Sequence, residues 1–458
     1  MGGVNRLLTR RRLLQLGAGV SLAAGLSGRD ALEATASHLI GMGSSSDWTP
    51  TEPDAAGSPA STASRVLYRN ATIADGRSAS LLRRRSVLVS DGRVAWIRPS
   101  DSELDPGPSA GLQLVNAAGL TIVPGMVDAH CHLTSPGGAN YINRFLDPVS
   151  QLLKTAEKNG ALARQSGVAW LRELGSRTVV DPHDGHRRAL GLGIRDRWAG
   201  RSDRPRVRAA GTWIAAPGGL KKGLAIVVRN ADELVAAALR QLDQGADLVK
   251  LYVEPKSGTD SPWSVAEIRR VTKAVHSRGA KVTAHAMRLK PARAAVLGGV
   301  DAIEHGFRLD AEICAEMARR GTYLVTTLIV PRNWLRIGAT TSGSYWSTRA
   351  GRRYARRLLE RGEQSVRLAR AAGVRIAAGS DFGGGSTRAG QLAWEVEALV
   401  AAGLQPWQAL GSATWRGGEV LGIAAAGRIG EGGPADFFLV DGDPYSDPSA
   451  LWNVVRLA

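Results

Sequence analysis

From residue 124 to about residue 421, short apolar runs alternate eight times with longer amphipathic stretches. The runs cover residues 126–133, 167–173, 206–211, 246–253, 281–285, 302–305, 322–328 and 374–379. Between them, residues 232–244, 265–277 and 311–319 space their apolar side chains as helices do. A strand followed by a helix and another strand forms a parallel pair, and eight such units predict an α/β fold closed as a (β/α)8 TIM-like barrel. The flanks read differently. Val66-Leu67-Tyr68, Ser86-Val87-Leu88-Val89 and residues 112–123 are β-type runs, broken by turns at Asp75-Gly76 and Asp91-Gly92. Residues 435–440 form another, so residues 65–123 and 422–458 are expected to make a small discontinuous β-sandwich beside a barrel at 124–421. The tail at 451–458 shows no tight hairpin, which predicts an incomplete sandwich edge.

The first 64 residues belong to neither domain. Arg10-Arg11-Arg12-Leu13-Leu14 precedes an interrupted apolar run to about Leu26, and Ala34-Thr35-Ala36 offers small residues for cleavage. Residues 1–36 thus resemble a twin-arginine signal, and the chain is expected to be exported, periplasmic or extracellular, after transient contact with that machinery. Residues 37–64 read as a flexible linker. The formal charge of +18 is mostly arginine. Arg349, Arg352, Arg353, Arg356, Arg357 and Arg361 have helical spacing and read as a solvated helix face, not a nucleic-acid groove, although such a face could attract anionic surfaces or acidic substrates. Cys131 and Cys314 read as free thiols.

Chemistry concentrates at the ends of the barrel strands. Gly125-Met126-Val127-Asp128-Ala129-His130-Cys131-His132 puts two imidazoles two residues apart, on one side of a strand, where they can grip one cation. Lys250, His285, His305 and Asp381 close later runs. A single strand-end histidine is usually structural. Six ligand-type residues ending strands one, four, five, six and eight converge on the face where barrel enzymes keep their chemistry.

The order His-x-His, Lys, His, His, Asp resembles that of the binuclear metal-dependent amidohydrolase superfamily. Val123-Pro124-Gly125-Met126-Val127-Asp128-Ala129-His130, Arg172-Glu173-Leu174-Gly175, Gly299-Val300-Asp301-Ala302-Ile303-Glu304-His305-Gly306 and Gly379-Ser380-Asp381 are similar to its imidazolonepropionase-like and prolidase-like branch. The resemblance implies two divalent ions, zinc by the imidazole-rich set. It places His130, His132 and Asp381 on the more buried ion, His285 and His305 on the second, and Lys250, carboxylated, between them. It also implies hydrolysis of an amide in a small substrate, such as a dipeptide or N-acyl amino acid, by metal-activated hydroxide with Asp381 shuttling the proton. The chain departs from the pattern at Gly218-Gly219-Leu220, where relatives often carry a histidine after the glycines.

Substrate contacts are less legible. Tyr252 shares a strand side with Lys250, while Arg288, Lys290 and Arg293 follow His285 and could pair with a carboxylate or simply be solvated. Residues 331–348, with Trp334, Tyr345 and Trp346, are expected to be an irregular aromatic lid. Two further readings stay open. One is hydrolysis of a lactone, carbamate or cyclic amide at the same site, and the other is a non-catalytic binding protein on the same scaffold. A deaminase is disfavoured, because Ala286-Met287-Arg288-Leu289 lacks the glutamate such enzymes place after the fifth-strand histidine.

Overall fold

The computed structural model describes residues 65–103 and 111–458, so the twin-arginine segment and the linker lie outside the described residues. Strands β1 (Arg65–Ile73), β2 (Leu82–Ser90) and β3 (Arg93–Pro99) form an antiparallel meander. β4 (Leu112–Asn116) and β5 (Leu120–Pro124) then pair in parallel with successive parts of β1. After Gly125 the chain enters the barrel.

The barrel strands follow in sequence: β6 (Met126–Cys131), β7 (Val168–Glu173), a short hairpin of β8 (Thr178–Val180) and β9 (Arg187–Ala189), then β10 (Arg206–Ala209). β11 (Ile214–Ala215) continues the third barrel strand and carries the small β12 (Ile226–Val227) at its side. β13 (Leu248–Tyr252), β14 (Lys281–Ala286), β15 (Ala302–His305), β16 (Tyr323–Thr326) and β17 (Ile376–Ala378) complete the eight positions, all parallel. Between β10 and β13 the Asp247 N–H donates to Ala209 O, and its carboxylate accepts from Ala209 N, each at 2.9 Å. The circle closes where His132 N–H donates to Phe382 O (2.8 Å) and Asp381 N–H to His130 O (2.7 Å). Position 379 must be glycine for this approach, since an added Cβ would sit 2.4 Å from the His130 Cβ.

Helices α1 (Val149–Gln165), α2 (Leu190–Trp198), α3 (Ala231–Asp243), α4 (Val265–His276), α5 (Leu289–Gly298) and α6 (Ala311–Arg320) return between strands. α4 shows why they form. Ser264 and Glu267 make a reciprocal capping box, and Ile268, Val271, Thr272 and Val275 recur on the buried face. Next come α7 (Ile329–Thr340), α8 (Arg349–Ala371) and α9 (Leu392–Ala401). The expected irregular lid is therefore corrected: α7 and a 3-10 turn at Tyr345–Ser347 occupy most of 331–348, because Pro331 sits where a first helical turn tolerates it.

Beyond the barrel, β18 (Phe437–Asp441) runs antiparallel to β5 and joins the terminal strands in one seven-stranded sheet. Its inner cluster includes Tyr68, Ile73, Ile122, Phe437 and Leu439, with the Tyr68 and Phe437 rings 5.1 Å apart. The tail is also corrected. β19 (Val454–Leu457) pairs antiparallel with β18 and supplies an edge strand. The 3-10 turn Pro448–Trp452 joins the two, so no tight-turn signal marks the pairing in the sequence.

Candidate metal centre

All six expected ligand residues come together at the C-terminal mouth of the barrel. Donor atoms of His130, His305 and Asp381 lie within 4.8 Å of one another. Asp381 Oδ1 is 3.4 Å from His130 Nε2 and 3.3 Å from His132 Nε2. His305 Nε2 and His285 Nδ1 face each other at 2.9 Å. Lys250 is 1% exposed, and its Nζ has no hydrogen-bond partner.

Neighbouring groups set the orientation of each ring. His132 Nδ1 donates to Gly175 O (3.0 Å), leaving Nε2 free to ligate. Glu173 holds that loop, accepting from Gly175 N (3.0 Å) and Leu133 N (2.5 Å). His305 Nδ1 contacts Thr327 Oγ1 at 2.8 Å, which again turns Nε2 inward. Asp128 ties strand one to the Asp381 turn, accepting from Ser380 N (2.9 Å) and Ser380 Oγ (2.6 Å).

Two site residues adopt left-handed backbone, His305 at φ 72° and Asp381 at φ 48°. Successive strand residues ordinarily point to opposite sides. At the end of β15 both Glu304 and His305 reach the interior, and the turned backbone at His305 makes that possible. The Asp381 loop needs space as well. A Cβ on Gly384 would lie 2.2 Å from His132 Cδ2 and 2.3 Å from Asp381 Oδ1.

The sequence reading missed Glu304 as a site residue. It is fully buried, pairs with Arg172 at 2.8 Å, accepts from Thr283 Oγ1, and lies 2.7 Å from His130 Nδ1. Burial pushes its carboxyl up, but Arg172 and Lys250 outweigh that and hold it below the usual value. The available signal was two opposite charges, Arg172 and Glu304, inside otherwise apolar strands. Also missed was an aromatic wall. Trp213 and Phe145 lie 5.2 and 5.8 Å from the His132 ring, with Leu220 and Tyr141 packed against them.

Electrostatics favour ligation. Burial and the neighbouring cationic groups drive His130, His285 and His305 well below the ordinary imidazole value, so they are neutral donors. Burial lowers the Lys250 ammonium to about 8. Lys250 Nζ and His285 Nε2 are buried polar atoms without hydrogen bonds. Such atoms are costly unless something binds them, and these residue types fit divalent cations.

The expected substrate residues divide. The Tyr252 ring stacks on His285 at 4.2 Å, at the rim of the site. Arg288, which is half-exposed, is held by Glu254 at 2.6 Å. Arg293 is a correction. Its guanidinium pairs with Glu312 and with Asp310 (3.3 Å), fastening α5 to the start of α6 on the outer surface. Lys290 likewise pairs with Asp260, at 2.7 Å.

The amidohydrolase family model matches residues 121–457. A protein of Mycobacterium tuberculosis described as uncharacterized is 32% identical over 360 residues, covering 78% of this chain and 88% of that one. Imidazolonepropionase of Symbiobacterium thermophilum is 25% identical over 398 residues, covering 80% and 85%. Among solved structures, a Xaa-Pro dipeptidase with methionine in its active site superposes with a TM-score of 0.73 at 24% identity, covering 85% and 97%, a likeness of fold. With its barrel and these matches in agreement, the chain belongs to the amidohydrolase family.

Proposed function

We propose that this hydrolase of C–N bonds cleaves an amide in a small substrate, a dipeptide or an N-acyl amino acid, using two divalent ions held by His130, His132, Lys250, His285, His305 and Asp381. The observation that supports this most is the convergence of buried ligand-type side chains, with His130, His305 and Asp381 within 4.8 Å of one another and Lys250 Nζ and His285 Nε2 lacking hydrogen bonds. When bound, such ions lower the pKa of water and polarise a carbonyl. The imidazole-rich set suits zinc.

The residues of the chain supply the rest. Asp381 takes the proton of the attacking water at its carboxylate and returns it to the departing nitrogen. Gly175 O and Thr327 Oγ1 keep two imidazoles in their ligating orientation. A Lys250 amine lowered to about 8 is partly neutral near pH 7, the form that would add CO2 and lose a proton to give a carbamate able to hold the ions. Trp213 and Phe145 exclude water beside His132. Tyr252 and Arg288 stand at the rim, where a substrate carboxylate would arrive.

Metal analysis should give two ions per chain. Screening the metal-loaded chain against dipeptides, N-acyl amino acids, cyclic amides and lactones should give the fastest turnover on the first two. Turnover surviving complete chelation would overturn the mechanism. Turnover confined to lactones would favour the second reading of the same site. Residues 1–36 are proposed as a twin-arginine export signal, so Arg10→Lys with Arg11→Lys should leave the protein in the cytoplasm. Unchanged export of that variant would refute the signal.

A further inference from the structure

Helix α8 is longer than the barrel needs. Its lower part meets the strand-six loop: a Cβ on Gly362 would lie 2.7 Å from Phe307, and Ser365 Oγ accepts from Leu309 N at 2.9 Å. The helix then descends towards β17, so residues 349–361 stand above that level, by about 18 Å at 1.5 Å per residue. One face of this part is buried through Gly351, Ala355 and Leu358, under α7 and the 3-10 turn. The adjoining face carries Arg349, Arg353, Arg357 and Arg361, four residues apart in one exposed row.

These four guanidinium groups, together with Arg308 and the Tyr354 ring, line a cavity of about 520 Å³ in which no acidic residue takes part. Arg308 lies three residues beyond the ligand His305, and its Nε is buried without a hydrogen bond. None of the five arginines makes an ion pair with any described residue. Some arginines elsewhere on the surface are matched, as Arg293 is with Glu312, Arg278 with Asp243 and Arg319 with Glu316, and what sets this group apart is that five of them line one cavity. Like charges four apart weaken the helix that carries them. The Tyr354 ring in the cavity wall lies against Trp334 and Trp346, at 6.3 and 6.5 Å between ring centres.

We propose that this cavity is an anion subsite that receives an acidic extension of the substrate carrying two or more carboxylates. Planar guanidinium groups in a row suit carboxylates by bidentate pairing. Five guanidinium groups around one cavity suit a small polyanion better than a flat anionic surface. The substrate class rests on the hydrolase reading above, whereas binding of a polyanion to the cavity does not.

Calorimetric titration of the metal-loaded full chain with tricarballylate, a tricarboxylate with no amide to cleave, tests the subsite against its neutral triamide. Binding of tricarballylate should be at least tenfold tighter than the triamide in low salt, and should weaken as salt rises. Arg353→Gln with Arg357→Gln should abolish the preference. Arg356→Gln with Arg367→Gln removes the same charge from exposed positions outside the cavity and should leave it intact. Asp381→Asn should retain the preference while losing hydrolysis, so that failure of the subsite and failure of the hydrolase reading are told apart. Equal losses in the two double variants would overturn the proposal in favour of a general charge effect. So would phosphatidylglycerol vesicles binding in a manner dependent on Arg353 and Arg357 when tricarballylate does not bind.

Discussion

In the terminal sheet, Tyr68, Ile73, Ile122 and Phe437 are at most 2% exposed, and all are aliphatic or aromatic. At the barrel mouth His130, Arg172, Lys250 and Glu304 are covered to the same degree, and all can bear charge. Burying the first set stabilises the fold by about 1.5–3 kcal/mol for each large side chain. Burying the second set opposes folding unless partners or cations compensate. The sheet is therefore expected to carry stability and the mouth to carry function. Substitutions in the two regions should fail in opposite ways.

The largest effect expected is on turnover. Asp381→Asn keeps the shape and removes the proton acceptor, so kcat should fall by about 10²–10⁴. In the chelated chain its unfolding midpoint should stay level or rise, because a buried carboxylate has been made neutral. A fall in midpoint as large as that of a core truncation would erase the contrast between the regions. Lys250→Ala should lose most activity and metal, and short carboxylic acids should restore part of both by filling the vacated bridge. Lys250→Arg should not be rescued, since the guanidinium keeps its charge and the space. Wild-type turnover in Lys250→Arg would make the lysine structural.

On the other side of the comparison, Phe437→Ala should cost about 3–5 kcal/mol in denaturant unfolding, while kcat of the folded fraction stays within about twofold. A drop in kcat without loss of stability would mean that the sheet tunes the site directly.

A smaller effect tests a carboxylate buried behind the loop that follows β16. Glu395 accepts from Leu328 N (2.9 Å) and Ile329 N (2.7 Å), and burial raises its pKa to about 7. The folded state thus binds this proton more tightly than the unfolded chain does. The resulting stabilisation is complete below about pH 4.5 and is lost as pH rises through 7. Asp128 and Glu173, also raised by burial to about 7, share that window. Glu395→Gln should therefore lower the slope of stability against pH by about one proton and leave the rest. An unchanged slope in urea titrations from pH 4.5 to 7.5 would show that Glu395 is ionised without penalty.

The eight strands and the convergence of the six candidate ligand residues were legible because each of those residues closes a run whose apolar character is local. Glu304 was hidden because its neighbour His305 drew the assignment, and because alternation denies that adjacent strand residues can both face inward. The left-handed turn at His305 that permits it leaves no mark on composition. Arg293 misled for a related reason. A basic residue after a strand-end histidine reads as a substrate contact, and nothing nearby reveals that Glu312, across to the next helix, holds it. The aromatic wall needs Phe145 and Trp213 to meet across two loops, and the stacking of Trp334 on Trp346 at 4.1 Å needs α7 to fold back on the turn after it. Long-range meetings of this kind have no local signature.

The closure of the barrel also fixes an order of events. Ser380 and Asp128, which bind strand one to the Asp381 turn, are 252 residues apart. On a ribosome adding about 5–20 residues per second, His130 and His132 exist for roughly 10–50 s before Asp381 is made. The strand that pairs with β5 is made later still. During that interval the first two imidazoles have neither their carboxylate nor the closing strand beside them. Assembly of the six candidate ligand residues is thus one of the last steps in the birth of the molecule, and a chain halted before β17 is born without the full set.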